Sequence, residues 1–154
     1  ADRPRIVSSD TGGNVIGIDF EGEVEMLLEH DAQRGHFFRM EDMDQDGVPE
    51  YIFASENELE VIDAKNKRVF SFKIKSDISM LPDVYQFSAS DIKLGITDRE
   101  RNMIYLVNPD GSVYEGFPLE GSTRFSIGYF AGSDSRFNLI VGSGNGFLYN
   151  YSIE

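Results

Sequence analysis

A chain of 154 residues with 40% hydrophobic and 27% charged side chains has the composition of a globular domain with a core of its own. Twenty-seven acids against 14 bases leave a net charge of −13. That surplus repels phosphate backbones and anionic lipid, so nucleic acid and membrane insertion drop out of the expected partners. Cysteine is absent, which rules out disulfides, thiolate metal sites and a cysteine nucleophile.

In chain order, the short apolar runs read as β-strands separated by turn residues. The first three are RIVSSD from Arg5, VIGID from Val15 and VEMLL from Val24. VEMLLEHDAQR is the stretch closest to a helical pattern, but it reads better as a strand followed by a loop. Next come HFFRME from His36, EYIFASE from Glu50, LEVID from Leu59 and RVFSFKI from Arg68. In the last of these Phe70, Phe72 and Ile74 alternate with Ser71, Lys73 and Lys75, the period-2 pattern of a half-buried strand. VYQFSAS from Val84, IKLGITD from Ile92, IYLVN from Ile104 and VYEGFPL from Val113 follow. RFSIGYF from Arg124, NLIVGSG from Asn138 and LYNYS from Leu148 complete the set.

These runs repeat. The segments anchored at Val15, Leu59, Ile104 and Leu148 are spaced by 44, 45 and 44 residues. Four strands in about 44 residues is the length of a β-propeller blade. The expected fold is therefore all-β, with about 3.5 four-stranded antiparallel blade-type repeats in one domain over 1–154. The units lie at approximately 1–34, 35–80, 81–122 and 123–154. A β-sandwich also has short strands at close spacing, but it predicts no 44-residue period. The units carry three, four, four and three strands, so the ends do not complement each other. This predicts a piece of a larger propeller, with a small open or dimer-completed ring as the alternative. The unmatched edge strands are then sites for self-association.

One loop stands apart. DMDQDGVPE, from Asp42 to Glu50, has acids at its positions 1, 3, 5 and 9 and Gly47 at position 6. Calcium takes six to eight hard oxygens, and alternate acids on a looped backbone can turn several inward. The expected ligands are Asp42, Asp44, Asp46, the Val48 carbonyl and Glu50. Position 12 is Phe53 rather than Glu, and strands flank the loop, so it is not an EF-hand.

With the loop and the repeat together, D-x-D-x-D-G-x-P-E followed by YIF resembles the FG-GAP and VCBS-like repeats of β-propeller proteins. NPDGSVYEGFPL and VGSGNGFLYNY resemble hairpins of bacterial propellers, and NELEVIDAKNKRVFSF resembles PQQ-type repeats. The resemblance implies Ca²⁺ at the loop between the first two strands of the second unit. Only that unit carries the loop; the equivalents at 88–97 and 129–137 are degenerate, and Glu50 stands where Asp is commoner.

The remaining chemistry is sparse. His30 and His36 are the only histidines, and no serine or cysteine nucleophile motif accompanies them. Gly142, Gly144 and Gly146 precede a strand rather than a helix, so they read as a hairpin turn and not a dinucleotide loop. Tyr85, Tyr114, Tyr129 and Tyr149 read as packing aromatics or as a binding face. The expected function is a non-catalytic binding or scaffold module for a protein or carbohydrate ligand, with one structural calcium, in a secreted, periplasmic or cell-envelope protein. The alternative is part of a propeller enzyme, PQQ-dependent dehydrogenase-like or lyase-like, whose active site lies elsewhere.

Overall fold

A computed structural model describes residues 4–130, 132 and 136–153. Its described residues form fourteen β-strands in four antiparallel sheets and no helix. The first sheet is β1 (Arg5–Ser9), β2 (Val15–Asp19) and β3 (Val24–Leu28). The second is β4 (Phe37–Glu41), β5 (Glu50–Ser55), β6 (Glu58–Ile62) and β7 (Arg68–Lys73). The third is β8 (Asp83–Ser88), β9 (Asp91–Asp98), β10 (Met103–Val107) and the two-residue β11 (Leu119–Glu120). The fourth is β12 (Phe125–Gly128), β13 (Phe137–Gly142) and β14 (Leu148–Ile153). The three-four-four-three count agrees with the sequence reading, and VEMLL is a strand. The chain divides into two compact units, 1–73 and 74–154, with two sheets in each.

Five hairpin turns share one form, and it explains why the strands keep their phase. In each, residue X donates its N–H to the carbonyl of X+4 and accepts from the N–H of X+3, with X being Asp10, Asp19, Asp63, Asn108 or Ser143. The X+3 residue is Gly13, Gly22, Asn66, Gly111 or Gly146, each at positive φ. Where X is Asp10, Asp19 or Asp63, its carboxylate also accepts the N–H groups of X+2 and X+4. The side chain thus completes a turn that the backbone alone leaves with free donors.

In the 1–73 unit the first two sheets share a core of Val15, Leu28, Tyr51, Phe53 and Ile62. In the 74–154 unit the core is Ile104, Leu106, Phe125, Leu139, Val141 and Ile153. Gly95 on β9 is part of that packing. Tyr85 stacks on Phe125 with ring centroids 4.9 Å apart, and a Cβ on Gly95 would lie 2.4 Å from the Tyr85 ring and 2.7 Å from Phe125.

One strand differs from expectation. VYEGFPL is not a continuous fourth strand of the third sheet. Val113 makes a single bridge to Val107, and pairing resumes only at Leu119 and Glu120, opposite Ile104 and Met103. Gly116 sits at φ 88° and turns the chain away, and Pro118 has no N–H to give to the ladder. The segment's apolar side chains serve core contact instead: Tyr114, Phe117 and Leu119 pack against the core.

Candidate metal centre

The acidic loop joins β4 to β5, where Glu41 and Glu50 are the last paired residues. It folds on its own side chains. Asp42 Oδ2 accepts the Gly47 N–H at 3.0 Å, Asp44 Oδ1 the Asp46 N–H at 3.1 Å, and Asp46 Oδ1 the Val48 N–H at 2.7 Å. Gln45 at φ 61° and Gly47 at φ 89° supply the reversal. Buried Met43, 4% exposed, pins the loop inward, and its N–H donates to Glu50 Oε2 at 2.8 Å.

This folding brings Asp42, Asp44 and Glu50 together, each offering a carboxylate oxygen within 4.8 Å of the others. Asp46 is outside that group and is exposed, with its Oδ1 tied to Val48. The Val48 side chain is also exposed. Glu50 is only 6% exposed, and burial pushes its carboxyl above the usual range. The Met43 N–H opposes that rise, while the charges of Asp44, Asp42 and Asp46 add to it. Asp42 Oδ1 is buried with no hydrogen-bond partner. An oxygen withdrawn from water without a donor costs on the order of 1–3 kcal/mol, more when charged. The donor set is all hard oxygen with no nitrogen or sulfur, which suits a calcium-like cation.

The histidines occupy a second cluster in the same unit. Phe53 lies between them, with ring centroids 4.6 Å from His30 and 5.3 Å from His36. His36 Nδ1 lies 2.9 Å from the Gln33 carbonyl and Nε2 lies 2.7 Å from Ser9 Oγ. A carbonyl only accepts, so Nδ1 carries the proton and Nε2 accepts the Ser9 hydroxyl. In sequence no serine nucleophile motif accompanies these histidines. The pair is 27 residues apart, and no local pattern signals it. Such a pair needs an oxyanion-stabilising donor for acyl chemistry. In the turn after β1 the N–H groups of Gly12 and Gly13 donate to Asp10 Oδ1 and the Asp10 carbonyl, and the Ala32 N–H donates to the Gly12 carbonyl. His30 Nδ1 meets Asn66 Oδ1 at 3.0 Å, and Asn66 donates to the Glu29 carbonyl at 2.7 Å, which ties the β3–β4 loop to the β6–β7 turn.

The other singled-out residues make the following contacts. Tyr85 donates to the Phe125 carbonyl, Tyr149 donates to Glu120 Oε1 at 3.3 Å, and Tyr114 packs against Phe87. Tyr129 stacks on Phe137 and stays 62% exposed. Gly142 ends β13, and Gly144 and Gly146 lie in the β13–β14 hairpin. The 88–97 equivalent of the acidic loop is a tight turn pairing Ser88 with Asp91. The 129–137 equivalent includes residues outside the described set. Among the described residues no helix is long and apolar enough to cross a membrane.

No protein-family model matches the chain, and no curated protein does. Among solved structures, a protein of unknown function from Bacteroides caccae matches with TM-score 0.51 and 12% identity, over 97% of this chain and 53% of that one. BBS1N in complex with ARL6DN matches with TM-score 0.49 and 11% identity, over 99% of this chain and 54% of that one. The chain therefore spans about half the length of either. At such identities the likeness concerns the fold alone. What fold and loop define together is an all-β repeat chain with a carboxylate cluster at one strand-to-strand connection.

Proposed function

We propose that the chain is part of a β-propeller-type protein and works as a non-catalytic binding or scaffold module, with Ca²⁺ held at the β4–β5 loop. The 44-residue register, carried through four meandering sheets, supports the blade reading. The observation that carries the ion is the convergence of the Asp42, Asp44 and Glu50 carboxylates, with a buried Asp42 oxygen left without a donor. Asp46 and the Val48 carbonyl complete the shell directly or through water. The ion neutralises the cluster and fixes the loop, so that β4 and β5 keep their pairing; its role is structural. A loop of this kind suits an extracytoplasmic compartment, where calcium stands near millimolar and modules bind it at about 10⁻⁴–10⁻³ M. The ligand of the module is a protein or a carbohydrate.

Calorimetry of the chelator-treated chain tests the ion. Calcium should give a saturable heat and raise Tm, by about 5–10 °C when free calcium stands about a hundredfold above Kd. Asp42→Asn should abolish both responses. Absence of heat and of any shift in the unaltered chain at millimolar calcium overturns the reading.

A further inference from the structure

We propose that the β3–β4 loop is a proton-operated latch. Protonating His30 at Nε2 clamps the loop onto Glu60 of β6 and draws in one wall of the cavity between them. The device lies within the 1–73 unit, and it rests on neither the calcium ion nor the binding-module reading.

Asn66 fixes the state of the His30 ring. Its Nδ2 donates to the Glu29 carbonyl at 2.7 Å, which leaves Asn66 Oδ1 facing His30 Nδ1 at 3.0 Å. An amide oxygen only accepts, so Nδ1 carries the proton and the neutral ring keeps a bare lone pair on Nε2. That nitrogen is buried and has no hydrogen-bond partner. Glu60 Oε2 lies 3.7 Å from it, so one acceptor faces another. With almost no exposed surface, Nε2 has no room for a water or a metal ion, and a proton is the one ligand it takes without rearrangement. Once protonated, Nε2 becomes a donor to Glu60 Oε2. A charge-assisted bond of this kind closes to about 2.7–2.9 Å, so the loop moves in by about 0.8–1.0 Å from its present 3.7 Å.

His36, which also packs on Phe53, is the comparison within the same loop. Its neutral ring already has both nitrogens engaged, Nδ1 with the Gln33 carbonyl and Nε2 with Ser9 Oγ, so a second proton brings it no new partner. Histidine ordinarily changes charge between about pH 5 and 8, which sets the range of the latch. The charged groups around His30 are Glu60 and Glu58 on β6, Arg68 on β7, Lys65 and Lys67 beside Asn66, and Glu29 and Asp31 in the loop itself. Arg68 Nε takes Glu60 Oε1 at 2.7 Å and Lys73 takes Glu58 at 3.5 Å, so Glu60 Oε2 is the carboxylate oxygen left facing the ring. β5 presents uncharged Phe53, and the turn before β2 presents Asn14, whose Oδ1 accepts the His30 N–H at 3.3 Å. The cavity that the latch adjusts is about 230 Å³, with Asp31, Ala32 and Gln33 on the loop side and Phe53, Glu58 and Glu60 on the sheet side.

NMR of the full chain at pH 7.5 and pH 5.5 tests the latch, in chelator so that the acidic loop binds nothing in either sample. Ring-nitrogen shifts should show His30 with a bare Nε2 at pH 7.5 and as imidazolium at pH 5.5. Amide protection factors over residues 29–33, corrected for the intrinsic exchange rate and taken relative to β12–β14, should rise about tenfold at the lower pH, the scale of one charge-assisted hydrogen bond. Glu60→Gln keeps an oxygen for Arg68 and turns an NH₂ donor toward Nε2. That variant should hold the loop closed at both pH values, with a change below about twofold. The ring spectrum of the unaltered chain carries the test if the variant does not fold. A His30 ring that stays neutral at pH 5.5, or a charged ring with no rise in protection over 29–33, overturns the proposal. So does a Glu60→Gln chain that still shows the parent's rise.

Discussion

Glu50→Gln separates repulsion from architecture at the acidic loop. Glu50 sits with Asp42 and Asp44 inside 4.8 Å, and its carboxyl is held above the usual range, chiefly by burial. A carboxyl raised in the folded chain contributes stability that is full below its unfolded pKa and is lost as pH rises through the folded value. At neutral pH, without an ion, the charged form therefore costs stability. Each unit-charge pair at 4.8 Å is worth about 0.9 kcal/mol in water and about 3.5 kcal/mol at an effective dielectric near 20. Glu50 faces two such partners, and solvent at exposed Asp44 brings the net nearer the lower figure. Gln keeps an oxygen to accept the Met43 N–H, so the hydrogen bond survives while the charge goes. The calcium-free variant should then be more stable at pH 7 by about 1–2 kcal/mol, which raises Tm by about 2–8 °C. In calcium the order should reverse, because the variant loses a charged ligand. Differential scanning calorimetry in chelator and in millimolar calcium, at pH 4 and pH 7, gives all four comparisons. A variant less stable than the parent in chelator at pH 7 refutes the argument. So does one that keeps the parent's full calcium response.

Other outcomes follow from the turns and cores. Asp10 is held below the usual carboxylate range first by the Asn14 side chain, Asp19 by the Glu23 N–H, Asp63 by the Lys67 N–H and Asp110 by the Ser112 side chain. Their contribution is present above the unfolded pKa near 4 and lost as pH falls through the lower folded values, so melting curves should drop below about pH 4. Asp19→Ala should flatten part of that drop. Gly95→Ala should destabilise the 74–154 unit by about 1–3 kcal/mol in urea unfolding, because the new methyl displaces the Tyr85–Phe125 stack; an unchanged midpoint would show that the stack yields freely. Lys93 is 4% exposed, 2.7 Å from Asp91 and 2.9 Å from Asn108, with its ammonium 4.7 Å from the Tyr114 ring centroid. Lys93→Met should lower stability by about 1–2 kcal/mol, the scale of a desolvated cation–π contact, and loosen the 113–118 segment in hydrogen exchange.

The strands were legible because turn chemistry and period agree. Asp63 and Asn66 mark the same turn that Asp19 and Gly22 mark 44 residues earlier, so a register read at one turn carries to the next. The repeat register predicts a fourth strand over V-Y-E-G-F-P-L, but Gly116 and Pro118 forbid continuous pairing and leave the sheet's fourth strand as β11 alone. At the acidic loop, spacing identified the carboxylates but not which of them converge. Asp46 has the right position in the series, yet its oxygen closes the local turn on Val48. The Ser9–His36 contact had no sequence signal, because it depends on how the β3–β4 loop folds back over 27 residues of chain.

The order of strands within each sheet has a consequence for how the chain comes to be folded. Among the described residues every hydrogen-bonded strand pair joins neighbours in sequence, and none waits for a distant segment. Chain-entropy losses on pairing are therefore small for an all-β protein, and assembly should be fast for its class. During synthesis each sheet can close as soon as its last strand leaves the ribosome. The nascent chain would then expose at most one unfinished edge at a time, which limits the interval in which apolar strands can find the wrong partner.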